Sequence, residues 1–240
     1  MARSYLNGNS FRLWIALVLM TLVLCYFVKD FEQQQSENRS KSVYLKILSS
    51  LPVSVENNSQ PFNRVKDFGN WLHSGTCKST RIKVLTEESI VPMRHNQDCK
   101  RIRGEWHSIY DGSISKDPTK NAEHPFQIEH TVPIKEVWQS GAMNWSHQDR
   151  VRYMNDLGFS GTLVAVDALS NQAKGEREPQ DWIPSDEDKA CAYIATWIAV
   201  KYRWHLNVDL DEKHFLANAI NHCGIGLSTE LPPRVLLGSI

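Results

Sequence analysis

The chain has 240 residues, room for one generous domain or two small ones, and 41% of them are hydrophobic, with eight Trp. That composition supplies ample apolar surface for a packed core and excludes a chain disordered throughout. Formal net charge is zero, which excludes a histone-like polycation, so any contact with nucleic acid must come from a local basic cluster.

Charge is uneven along the chain. Residues 1–29 hold Arg3, Arg12 and Lys29 and no acid, so residues 30–240 carry slightly more acids than bases. Leu13 to Val28 is uncharged. It is a little short of the ~20 residues of a spanning helix, but Phe11 and the snorkelling of Arg12 and Lys29 extend it. The segment 1–29 reads as a membrane anchor or uncleaved signal, because no Ala-x-Ala follows the apolar run. A cleaved signal peptide, and hence secretion, is the rival reading. Arginine ahead of the span places the N-terminus in the cytoplasm and the rest beyond the membrane. Residues 30–64 are rich in Gln, Ser, Asn and Glu and read as a polar stalk. Within them Val43-Tyr-Leu-Lys-Ile-Leu48 leaves a helical subdomain over 40–52 as the alternative.

The folded domain is expected over 65–225, followed by a tail at 226–240. Its four cysteines, Cys77, Cys99, Cys191 and Cys223, are an even set in an exported context, which favours disulfides over metal binding because none shows Cys-x-x-Cys spacing. Three pairings are possible, and local closure suggests Cys77–Cys99 with Cys191–Cys223. Alternation around Trp106 and Tyr110, closed by Asp111-Gly112, predicts a hairpin between Arg101 and Asp117, with Arg101 and Arg103 on one face.

Phe126-Gln-Ile-Glu-His130 then reads as a short strand ending in a carboxylate–imidazole pair and broken by Pro133. Neighbours on an extended strand face opposite ways, so Glu129 and His130 can meet one substrate only if the strand ends or twists there. Ile134, Val137 and Trp138 form a helical stripe, with Glu136 reading as a surface carboxylate. Ser146 caps a further helix through Val151, Met154 and Leu157. Leu163 to Val166 is a buried strand running into a helix that carries Asn171 and Lys174, three apart and so on one face. Ser185 is expected to cap a long helix reaching about His205, and Asp209 or Asp211 to open a last helix toward Cys223.

Glu129, His130, Asn171 and Lys174 together offer a hard ligand, a base titrating near neutrality, a second oxygen ligand and a cation that seeks phosphate. That is the inventory for hydrolysing a phosphodiester. Oxygen ligands favour Mg²⁺, with Mn²⁺ second, over Zn²⁺. A zinc peptidase is disfavoured because no His-Glu-x-x-His occurs.

The order Glu-His-x-x-Pro, apolar strand, Asn-x-x-Lys-Gly resembles the HNH (ββα-metal, or His-Me finger) endonucleases. It is closest to an exported bacterial branch similar to the GmrSD restriction endonuclease C-terminal domain. The resemblance runs from about Val65 to Cys223. It includes Thr80-Arg81, Gly104-Glu-Trp106, Tyr110-Asp-Gly112, Asn155-Asp-Leu157 and Trp182-Ile-Pro184. It implies an α+β fold, a ββα-metal unit embedded in additional helices behind an N-terminal transmembrane helix. It further implies His130 as general base, Glu129 and Asn171 as metal ligands, and Lys174 on the substrate phosphate or fixing the loop. The middle motif position, often Asn, is Thr162 here, whose carbonyl would help hold the histidine. The leading expectation is a membrane-anchored endonuclease acting on DNA, with RNA the second substrate class, in a periplasmic or extracellular setting. The alternative is an inactive HNH scaffold that binds nucleic acid or an envelope partner.

Overall fold

The structure is a computed structural model that describes residues 8–223 and 231–238. Arg3 and the ends of the expected anchor and tail, at 1–7, 226–230 and 239–240, lie outside the described residues. The chain opens with one continuous helix, α1 (Gly8–Ser50). Side chains from Leu13 to Phe31 stand exposed along it, and this part is long and apolar enough to cross a membrane. The helix does not stop in the polar stretch. Tyr44, Ile47 and Leu48, at i, i+3 and i+4, bury one stripe of its last turns in the core, and Leu51 follows them in. The weakly apolar patch at 43–48 is thus the docking end of α1, which packs on the two C-terminal helices.

Short elements follow. Helix α2 (Arg64–Phe68) is capped by Asn63, whose side chain accepts from the Lys66 amide, and α3 (Thr80–Glu88) by Ser79 in the same way from Ile82. The expected single hairpin over 101–117 is divided between two small sheets. Strands β1 (Arg94–His95) and β2 (Ile102–Arg103) form one, and β3 (Trp106–His107) and β4 (Ile114–Ser115) the other, turning through Asp111-Gly112. Gly112 sits at φ +76°, where a side chain would be strained.

Strand β5 (Phe126–His130) pairs antiparallel with a later strand, β6 (Leu163–Asp167), in the register Phe126↔Asp167 through His130↔Leu163. Between them lie α4 (Ile134–Gln139), a 3₁₀ turn at Ala142–Asn144, and α5 (His147–Met154), capped as expected by Ser146. Leu157 falls beyond the end of α5. Helix α6 (Ala168–Lys174) follows β6 directly, with the Asp167 carboxylate accepting from the amides of Leu169 and Ser170. Helices α7 (Glu187–Arg203) and α8 (Leu210–His222) complete the body. The cap of α7 is Asp186 rather than Ser185, because a carboxylate one residue nearer the helix accepts from the Lys189 amide; Asp209 caps α8.

The β5–β6 pair separates two cores. Val164 and Val166 face the larger, which contains α1, α7 and α8, while Phe126 and Ala165 pack with Leu85, Ile102 and Trp106 in the smaller. Glu136 is not at the surface. It is buried, and with Glu212 it holds the fully buried Lys201 at 2.8 and 2.6 Å. Disulfides join Cys77 to Cys99 and Cys191 to Cys223, closing loops whose cross-linking contributes roughly 3 kcal/mol each by chain entropy. The fold is α+β with an N-terminal apolar helix.

Candidate functional site

Alternation along β5 puts Gln127 and Glu129 on one face. On α6, Asn171 and Lys174 share the face that lies over it. Two rungs result: the Asn171 amide donates to Gln127 Oε1 at 2.6 Å, and Lys174 Nζ donates to Glu129 Oε1 at 2.5 Å. Lys174 also reaches the His130 carbonyl at 3.3 Å and has no exposed surface. Its ammonium is thus held beneath the strand by these protein oxygens. Gly175 ends α6 at φ +56°, which explains the glycine after the lysine: the chain must reverse there with positive φ.

His130, the last residue of β5, turns to the other face. Its ring stacks on Trp71, with centroids 5.3 Å apart and planes 3° apart, and on Tyr153 at 5.5 Å. Nε2 lies 3.1 Å from the Met154 carbonyl. A carbonyl only accepts, so Nε2 carries the proton and Nδ1 keeps the lone pair. Burial, reinforced by the nearby Arg64 cation, lowers the His130 pKa to about 3, so the imidazole is neutral throughout the physiological range and a weaker base than the near-neutral one expected from the sequence. Burial likewise pushes the Glu129 carboxyl up, against the pull of Lys174 and Arg64.

Strand β5 has a partner on one side only, so residues from both of its faces can line a cavity along its open edge. That cavity, about 480 Å³, is lined by Glu129, His130 and Asn171 together with Arg64, Trp71 and Arg81. Three of the four residues expected at the site thus meet at one opening, and Lys174 supports them from beneath.

Thr162 is fully buried and makes no hydrogen bond to the histidine ring among the described residues. Its carbonyl accepts from the Thr131 amide at 3.1 Å, and its hydroxyl donates to Asp156 at 2.8 Å. Asp156 in turn accepts from Arg203 Nε and Nη2 and from the Trp204 indole. The threonine therefore fixes the residue after His130, and the ring itself is held by Met154. Trp71, Tyr153 and Met154, the clamp on the histidine, were not legible as such: Trp71 lies in the irregular chain between α2 and α3, Tyr153 reads first as helix core, and Met154 acts through its main-chain carbonyl. Arg64 stood at the boundary of the expected stalk, and Arg81 carried only the signal of its motif.

Whether these residues suit a metal turns on their donors. Glu129 Oε2 and Asn171 Oδ1 are hard oxygens left over from the two rungs. Such a sparse set suits Mg²⁺, which retains much of its water, better than Zn²⁺. Three richer groupings of His, Cys and carboxylates among the described residues lie elsewhere: Cys77–His95–Cys99, Glu56–Glu178–Asp209 and Glu136–Glu178–Glu212. In the first the cysteines are disulfide-bonded, and in the last Lys201 already supplies the cation.

The α+β fold, with a histidine and a carboxylate in one cleft beside a strand pair and the helix that follows it, fits a nuclease-type domain. Residues 85–219 match the model of the GmrSD restriction endonucleases, C-terminal domain, and the chain belongs to that family. A protein of Arthroderma benhamiae (strain ATCC MYA-4681 / CBS 112371), called an uncharacterized secreted protein, is 35% identical over 185 residues, 77% of this chain and 86% of the relative. No solved structure matches the chain significantly.

Proposed function

We propose that the chain is a metal-dependent endonuclease that hydrolyses DNA outside the cytoplasm, with its ββα-metal unit formed by β5, β6 and α6. The observation that carries this reading is the held, neutral His130, whose Nδ1 has no protein partner among the described residues and which lines the cleft with Glu129 and Asn171. His130 takes the proton from the attacking water at Nδ1, while the Met154 carbonyl stabilises the opposite N–H as the ring becomes charged. Trp71 and Tyr153 hold the ring in plane, so little orientation is lost at each turnover. Arg64, exposed at the cleft, contacts the anionic substrate. Glu129 and Asn171 would hold the divalent ion, Mg²⁺ before Mn²⁺. When bound, the ion neutralises charge on the scissile phosphate.

An extracellular setting is supported by two disulfides, the exposed apolar part of α1 and the secreted relative. In this reading α1 anchors the chain in a membrane. A binding scaffold without turnover is the competing function, and the engagement of Glu129 by Lys174 favours it.

One assay separates the two. The full chain, disulfides intact, is incubated with supercoiled plasmid in Mg²⁺, Mn²⁺ or EDTA beside His130→Ala. Metal-dependent nicking that falls by about 10²–10⁴-fold in the variant supports the enzyme. Binding without nicking under any metal, unaffected by the substitution, supports the scaffold; cleavage of RNA alone would overturn the choice of DNA.

A further inference from the structure

Beside the cleft lies a larger cavity of about 760 Å³, whose function the proposed chemistry leaves open. The two adjoin, because Arg81, Gln127 and Gln172 line both. Arg81 is the unusual member. Its guanidinium is half-buried, and burial lowers its pKa. Its Nη2 donates to the carbonyls of Pro118 and Phe126, at 2.9 and 3.0 Å. Among the described residues no carboxylate pairs with it, unlike the buried Lys174, Lys201 and Arg203. A guanidinium has five N–H donors, and these two contacts leave others free. A cation withdrawn from water, held in place and lacking a counter-ion is a preorganised place for an anion.

The far wall extends the same charge. Exposed Lys120 forms no ion pair among the described residues and exposed His73 stands on the same wall, while its carboxylate, Asp98, is engaged by Lys100 at 3.3 Å. The disulfide Cys77–Cys99 also lines this wall and ties its two segments together. Cleft and cavity form a continuous track with cations at Arg64, Arg81 and Lys120.

From this we infer that the second cavity is a subsite for the phosphodiester backbone of a DNA strand flanking the scissile bond, with Arg81 binding the phosphate at the junction and Lys120 one further along. The inference rests on the nuclease reading for what happens in the cleft, but the subsite itself is a binding claim. It makes the substrate a polynucleotide strand rather than a small diester, because a small diester fills only the cleft.

The test uses the full chain and its Arg81→Gln and Lys120→Glu variants, with Lys83→Glu, exposed elsewhere on α3, as control. A fluorescein-labelled single-stranded oligodeoxynucleotide is titrated in EDTA and read by anisotropy over a range of salt. Arg81→Gln weakens binding roughly tenfold, as expected for one charge-assisted contact, and lowers the salt slope by about 0.7; Lys120→Glu does so less steeply. In Mg²⁺, the loss on the oligonucleotide falls on KM and exceeds the loss on bis(p-nitrophenyl) phosphate. Unchanged affinity and salt slope in both variants, or equal losses on both substrates, would overturn the subsite. Should Arg81→Gln fail to fold, Lys120→Glu, altering an exposed side chain, decides alone. A wild type that binds the strand and cuts nothing sinks the nuclease reading, while the anisotropy still decides the subsite.

Discussion

Two lysines in this molecule are equally buried and do opposite things. Lys201 has four acceptors around its ammonium: Glu136, Glu212, the Ser140 hydroxyl and the Asn207 carbonyl. Burial alone would lower its pKa, but two carboxylates overcome that and hold it well above the ordinary value. Lys174 has one carboxylate and one distant carbonyl, and there burial prevails and its pKa falls. The first is a closed network on the scaffold side of the core. The second is left partly satisfied beneath the cleft, where the free oxygen of its partner Glu129 remains for a ligand. The number of carboxylates within reach, not burial, sets the two ammonium groups apart.

The largest effect should come from the closed network. Lys201→Met strands two buried carboxylates and is expected to cost about 3–5 kcal/mol, seen as a lower urea midpoint. A stability loss no greater than that of Lys174→Met would erase the contrast. Lys174→Met should leave a folded protein but lower kcat/KM on DNA by about 10–100-fold, as for groups that orient a metal ligand. Wild-type turnover in that variant would mean Glu129 needs no support.

A third measurement is thermal stability against pH. Glu178 borders the closed network, and burial, with Glu136 and Glu212 adding repulsion against the pull of Lys201, raises its pKa to about 9. Its unfolded value is near 4.5, so the folded protein binds the extra proton between the two. The stabilisation is full below about pH 4.5 and is lost as pH rises toward 9. Glu178→Gln should flatten that decline; a slope identical to wild type would assign it elsewhere. The smallest effect belongs to Thr162→Val, which removes one hydrogen bond to an Asp156 still held by Arg203 and Trp204, and should cost about 1 kcal/mol in chemical unfolding.

Much of the fold was legible from local chemistry. The β5 and β6 segments, the Asn-x-x-Lys face of α6 and the caps at Ser146 and Asp209 each follow from residues close in sequence. Helical spacing and strand alternation put Asn171 over the Gln127–Glu129 face, but His130 faces the other way and joins them only along the open edge of β5. What escaped depends on partners far along the chain. Glu136 reads as surface until Lys201, on α7, is brought to it. The histidine's anchor is a main-chain carbonyl at Met154, which no side-chain pattern announces. The deep end of α1 is amphipathic only weakly, and its burial is granted by helices at the other end of the sequence.

That last packing sets an order of events during synthesis. The strand pair and helix that carry Glu129, His130 and Asn171, Phe126 to Gly175, form one stretch of sequence and emerge together. The larger core, however, joins the first helix to the last two, so it cannot close until α8 has left the ribosome. The oxidation joining Cys191 to Cys223 then locks that late closure in place. The parts that line the cleft are thus made before the core that backs them can close.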